Sequence, residues 1–196
     1  MNKPQTLLFF GPSGAGKGTQ VDLLMEHLKK SSEQEVIYIE MGALLRAMTA
    51  EDSKSAELTN EVVSNGGLMP AFLPNYLFTK QLVDNFTGTQ HIIADAVVRR
   101  VSQAEAFDDA MVFYGREDYA VMYIEISTEE IVKRLLARGR SDDTEEKILR
   151  RIDWYKKDVL PALDTLKERG RTVHMIDGER SVEEIHNDIL GRLDLK

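Results

Sequence analysis

The sequence predicts an α/β domain built on a five-stranded parallel sheet, and two observations predict it. Apolar runs recur along the 196 residues with helical stretches between them, the alternation expected of strands joined by crossover helices. Most of these runs are nearly continuous rather than alternating, as strands covered on both faces must be. The length suits one substantial core and would cramp a second independent domain, so 1–196 reads as a single domain with excursions.

The first strand is TLLFF (6–10), followed directly by GPSGAGKGTQ (11–20). Val21, Leu24, Met25 and Leu28 then fall at helical spacing, so a helix begins where the glycine loop ends. VIYI (36–39) is the second strand and HIIAD (91–95) the third, separated by a long excursion at 41–90. VMYIEIS (121–127) is the fourth. Ser127 with Glu130 fits a side-chain cap followed three residues later by a carboxylate, as do Asp143 with Glu146 and Ser181 with Glu184. The last two pairs predict helices from about 144 and about 182, and Pro161 should kink or interrupt the first of them. TVHMID (172–177) is the fifth strand, after a second excursion at 138–171. Excursions of this length from a compact core are often lids or binding loops.

Composition narrows the partners. With 25 Lys and Arg against 33 Asp and Glu, the net charge is −8, which argues against nonspecific binding to nucleic acid or to an anionic membrane surface. Any anionic ligand must be small and met by local arginines. The absence of cysteine excludes disulfides and thiolate metal sites. His27, His91, His174 and His186 show no close ligand-type spacing. No apolar run approaches membrane-spanning length, and the N-terminus lacks the apolar core of a signal peptide. The chain reads as cytoplasmic.

Gly11 to Lys17 matches Gly-x-x-x-x-Gly-Lys between a predicted strand and a predicted helix. In that pattern glycines let backbone N–H groups converge on phosphate oxygens while the lysine neutralises them, and the helix N-terminus adds partial positive charge. The position after the lysine, usually a serine or threonine that binds Mg²⁺, is Gly18. The ion would then be held by phosphates and water.

GPSGAGKGTQ resembles the loop of adenylate kinases and their nucleoside-monophosphate-kinase relatives. Further stretches are similar to the family's pattern, in order, over nearly the whole chain. GALLRA (42–47), GGLMP (66–70), DAVVRRVSQAEA (95–106), RLLARGRSDDTEEKILRR (134–151) and DGERSVEEI (177–185) carry the resemblance. It implies a P-loop NTPase-type three-layer fold, with a helical insertion for the nucleoside monophosphate at about 41–72 and a short lid at about 138–147. It also implies transfer of the γ-phosphoryl group of Mg-ATP to a monophosphate. Gly14, Ala15, Gly16, Lys17, Gly18 and Thr19 would hold the ATP phosphates. Arg134 would pack on the donor base, and the backbone near Arg180 would touch it. On the acceptor side Arg46 would grip the phosphate, Gly67, Leu68 and Met69 would approach the base through their backbone, and Met41, Ala96, Arg99 and Gln103 would complete the site. Arg138, Arg140 and Arg151 would surround the phosphates, Lys17 and Arg99 would act with them in catalysis, and Asp142 and Asp143 would fix the lid. Asp95 would hold water on Mg²⁺, and the short lid suggests a monomer.

The physical reading of these residues agrees with the resemblance. Phosphoryl transfer needs several phosphates neutralised in line and water kept out, which Lys17, the arginines and two closing excursions can provide. Each residue also has a plain alternative. Arg99, Arg100, Arg150 and Arg151 suit solvated charges on helices; with the glycine loop present, Arg99 and Arg151 become ligands, while Arg100 and Arg150 stay structural. Gln103 taken alone is a surface residue, Trp154 and Tyr155 suit helix packing, and Met41 suits the core.

The chain departs from the pattern where Ala96, Val97 and Val98 stand for Gly-Phe-Pro, where Ala43 stands for an aspartate, and where Met41 replaces a small residue. Weaker acceptor affinity or rate is the expectation. Gln103 favours AMP as acceptor, with a UMP/CMP-type or broad-specificity kinase as the alternative. A non-catalytic nucleotide-binding regulatory module is the reading from a different class.

Overall fold

The computed structural model describes residues 3–140 and 143–195. Residues 141 and 142, in the middle of the expected lid, lie outside it, and so does the role expected of Asp142. The strands are β1 (Thr6–Phe10), β2 (Val36–Glu40), β3 (His91–Asp95), β4 (Ala120–Glu125) and β5 (Thr172–Asp177). They form one parallel sheet in the order β2-β3-β1-β4-β5.

The continuous apolar runs follow from this order. Alternate residues of a strand point to opposite faces, and both faces of the central strands are covered. Leu8, Phe10, Ile92, Ala94 and Val121 enter one core, and Leu7, Phe9, Ile93, Met122 and Ile124 enter the other. Helix α1 (Lys17–Ser31) supplies Val21, Leu24 and Leu28 to the second core. The 41–90 excursion contains α2 (Met41–Met48), α3 (Lys54–Ser64) and α4 (Phe72–Asn85), and α5 (Val101–Phe113) follows β3. After β4 come α6 (Thr128–Arg138), α7 (Glu145–Trp154) and α8 (Leu160–Glu168), and α9 (Val182–Arg192) follows β5.

Fourth-strand pairing stops at Glu125, short of the expected 127, because Ser127 is used as a cap: its hydroxyl accepts from the Glu130 N–H at 3.3 Å. Ser181 and Glu184 form a full capping box on α9. The third expected cap is corrected by the structure. Thr144 is the N-cap of α7, and the Asp143 carboxylate instead accepts from arginines, whose charge outbids neutral backbone donors. Pro161 does interrupt its helix. A π turn at Tyr155–Val159 divides α7 from α8, and the proline sits in the first turn of α8, where a missing N–H is tolerated.

The chain leaves β1 toward the edge formed by β3 and β2 and later adds β4 and β5 on the other side. The C-terminal end of β1 is therefore a topological switch point, the place where open α/β sheets bind ligands. The glycine loop emerges there, and Asp95, opposite Phe9 in register, ends the adjacent strand.

Candidate active site

The loop after β1 is shaped by close approach. A Cβ on Gly11, whose φ is +143°, would lie 2.5 Å from the Ile124 carbonyl oxygen, so no other residue lets the loop turn so tightly against β4. Gly16 is the N-cap of α1 in the left-handed region, with φ of 90° and no side-chain cap. A Cβ there would meet nothing within 4 Å, and no side chain caps the first turn of α1. Uncapped helix N–H groups beside an open loop form an anion site. Gly14, Ala15, Gly18 and Thr19 belong to the same loop and first turn.

Lys17 folds back inside this loop, its ammonium donating to the Gly11 carbonyl at 2.9 Å and the Pro12 carbonyl at 3.0 Å. Burial pushes its pKa down, Asp95 pulls it up, and Arg99 and Arg138 push it further down. Asp95 is buried, and its Oδ1 has no partner. Burial raises its pKa against the pull of Lys17 and Arg99, with Glu40 and Asp22 adding to the rise. Among the described residues, no group of three or more His, Asp or Glu side chains could hold a metal alone. A single unpartnered carboxylate at a phosphate cradle suits an ion that arrives with ligands of its own.

The stretch after Asp95 keeps its turn without glycine. Ala96 has φ of 54°, in the left-handed region, and its carbonyl accepts from the Arg99 Nε–H at 3.2 Å. Left-handed backbone costs a non-glycine residue about 1–2 kcal/mol. Ala96→Gly is expected to stabilise the fold by about 0.5–1 kcal/mol once the greater freedom of glycine in the unfolded chain is subtracted. Urea unfolding measures this, and a loss of stability would show that Ala96 is not strained.

Gln103 is not the surface residue its letter suggests. It is buried, and its side-chain oxygen accepts from the Arg99 backbone N–H at 2.8 Å, closing the turn into α5. Its amide N–H groups remain as donors. Burial lowers the Arg99 pKa, Asp95 raises it and Arg151 lowers it.

Arg138 and Arg151 are clamped by one carboxylate. Asp143 accepts from Arg138 Nε and Nη2, both at 2.8 Å, from Arg151 Nη1 at 2.9 Å, and from the Arg140 backbone N–H at 3.3 Å. Burial pushes the Asp143 pKa up, but hydrogen bonds from Arg138 and Arg151 win and hold it below the usual carboxylate range. The Arg140 side chain is exposed at the edge of this clamp.

The remaining expected residues lie on either side. Arg46 is exposed on α2, and its Nη2 donates to Glu40 Oε1 at 2.9 Å. Gly67, Leu68 and Met69 form the turn between α3 and α4, and the Met69 carbonyl accepts from Arg100 at 3.4 Å. Met41 is buried in the core with Met69. On the other side Arg134 donates to the Gly178 carbonyl at 3.0 Å, drawing α6 to the turn after β5. The Arg180 side chain donates to the Asp177 carbonyl at 3.2 Å and to Asp188 at 2.6 Å, tying the turn after β5 to α9. Arg100 pairs with Asp158, and Arg150 donates to the Asn65 carbonyl. Lys17 and Arg99 thus line one cleft, while Arg138 and Arg151 share the Asp143 carboxylate. Sequence reasoning missed Glu40, whose signal was its place at a strand end in register with Asp95, and gave Trp154 no functional role.

A family model for adenylate kinase matches residues 9–171. The curated protein "Adenylate kinase 1" of Nostoc sp. is 33% identical over 187 residues, 95% of this chain and 97% of the relative. "Adenylate kinase" of Leptospira biflexa is 34% identical over 188 residues, 94% and 97% of the two chains. That of Nocardioides sp. is 32% identical over 193 residues, 96% and 97%.

Proposed function

Since the chain belongs to the adenylate kinase family and is a nucleoside monophosphate kinase, we propose that Mg-ATP is its donor and AMP its preferred acceptor, giving two ADP. The observation that carries this reading is the cleft at the uncapped N-terminus of α1, lined by Gly11, Ser13, Lys17, Ala96 and Arg99, with the buried Asp95 carboxylate, whose Oδ1 has no partner, at the end of the adjacent strand. Several preorganised cations around one point are what a transition state with charge spread over phosphoryl oxygens requires.

In this reading Gly14, Ala15, Gly16, Lys17, Gly18 and Thr19 cradle the ATP phosphates. Arg134 and the backbone at Arg180 border the donor base. Arg46 and Arg99 hold the acceptor phosphate, with Gly67, Leu68, Met69, Met41, Ala96 and Gln103 around the nucleoside. An oxygen of the acceptor phosphate forms a bond to the γ-phosphorus as the bond from that phosphorus to the β–γ bridging oxygen breaks. The acceptor oxygen is already ionised, so no base is needed. Arg138, Arg140 and Arg151 neutralise the charge that spreads during transfer, and the 41–72 insertion and 138–147 lid exclude water. Mg²⁺ bound with ATP would supply further positive charge to the phosphates, and Asp95 would hold it through water.

A non-catalytic reading drew its support from the altered stretch 95–99. That support weakens because Ala96 keeps a left-handed turn and Gln103 still braces Arg99. Acceptor choice rests on Gln103, whose buried amide retains donors for a base edge. Gln103→Asn is expected to lower the AMP-to-CMP ratio of kcat/KM by about tenfold or more, since a site built to hydrogen-bond one base leaves its polar groups unpaired with another. Competition between the two acceptors measures the ratio, and an unchanged value would remove Gln103 from the specificity argument.

A further inference from the structure

Trp154 touches both parts of the proposed acceptor site. It ends α7 and lines the cleft that also holds Lys17, Ala96 and Arg99. Its indole N–H donates to the Gly66 carbonyl at 3.0 Å, one residue before the Gly67–Met69 turn. The guanidinium of Arg99 lies over its ring, 5.6 Å from the centroid.

The contact belongs to a larger seam. Arg150, one turn earlier on α7, donates to the Asn65 carbonyl at 3.0 Å. A Cβ on Gly66 would lie 3.2 Å from the Lys147 Cβ, so the turn packs directly on the helix. Helix α7 thus carries Arg151 into the phosphate clamp, supports the 65–69 turn, and lays an aromatic face under Arg99. A guanidinium over a tryptophan face is held by the ring quadrupole, with strength that grows as water is excluded.

We propose that Trp154 is a positioning residue that couples the seating of the acceptor to the placement of Arg99. The indole N–H fixes the turn that borders the acceptor base, and the ring fixes the guanidinium that meets the acceptor phosphate. One rigid side chain links the two ends of the same ligand. This inference rests on the acceptor-site reading above.

Trp154 is the only tryptophan in the chain, so selectively excited tryptophan emission reports on the surroundings of this one ring. The experiment uses the full-length protein, W154F and W154L, with initial rates over a range of AMP at saturating Mg-ATP and an AMP titration of wild-type fluorescence. Phenylalanine keeps an aromatic face and loses the N–H; leucine loses both. W154L is expected to raise the AMP KM about tenfold and to lower kcat several-fold, from loss of the hydrogen bond and the ring contact together. W154F is expected to restore kcat to within about threefold of wild type while keeping a raised KM, because only the ring contact serves Arg99. Wild-type emission is expected to shift on AMP addition, saturating with the AMP dissociation constant.

A merely structural tryptophan would lower the unfolding midpoints of both variants and leave KM and kcat within twofold, which would overturn the proposal. If W154L fails to fold, wild-type emission that stays unchanged at saturating AMP would overturn it equally. A wild type that phosphorylates no monophosphate removes the acceptor-site reading and this inference with it. A wild type active on AMP with indifferent variants removes this inference alone.

Discussion

Lys17→Met is expected to lower kcat by at least about 10³-fold while leaving the protein folded, a loss of the size seen when a cation on the transferring phosphoryl group is removed. Methionine preserves most of the length and apolar stem of lysine and removes only the ammonium. That group sits at the centre of the charge arrangement, held by the Gly11 and Pro12 carbonyls and close enough to Asp95, Arg99 and Arg138 for each to alter its pKa. Because burial and two arginines disfavour its charge in the free protein, removing the charge relieves repulsion, and the thermal unfolding midpoint should not fall appreciably. Initial rates of ADP formation and a melting curve measure the two effects. Activity within tenfold of wild type would mean that Lys17 does not meet the transferred group.

Arg151→Ala is expected to damage both rate and stability. On the rate side, a phosphate-binding arginine is worth about 10³-fold or more. On the stability side, the Arg151 side chain is 10% exposed and the Asp143 side chain 0%. Removing one partner of a buried pair typically costs about 3–5 kcal/mol; the retained Arg138 bonds should hold the loss nearer to about 2 kcal/mol. The clamp also has a pH signature. The Asp143 pKa is depressed in the folded state, so its stabilisation is complete above the unfolded carboxylate pKa of about 4 and drains as pH falls through the folded value. Arg151→Ala should therefore flatten the acid limb of the stability profile. Chemical unfolding between about pH 3 and pH 7 measures it; an unchanged limb would show that Arg138 alone sets the Asp143 pKa.

The central sheet was legible because burial on both faces forces uninterrupted apolar runs, as in Leu7 to Phe10, each 0–2% exposed. The glycine loop was legible because its geometry admits few residue types, Gly11 most of all. Ser127 and Ser181 were legible as caps because their partners lie three residues away. Asp143 shows where such reasoning stops: the same spacing suits a helix cap, but Arg138 and Arg151 compete for the carboxylate, and that competition is decided by tertiary placement. Gln103 was misjudged in isolation because its partner, the Arg99 N–H, exists only once the turn after Asp95 is formed. Ala96 gave no sign of left-handed backbone, since alanine rarely adopts it. Trp154 reads as packing in one dimension; its hydrogen bond exists only once Gly66, 88 residues away, is brought to its N–H.

The most direct test of the account is ADP formation by the purified protein with Mg-ATP and each of AMP, CMP, UMP and GMP. The account predicts turnover with AMP and much slower turnover with the other three. ATP binding without phosphorylation of any monophosphate would contradict it.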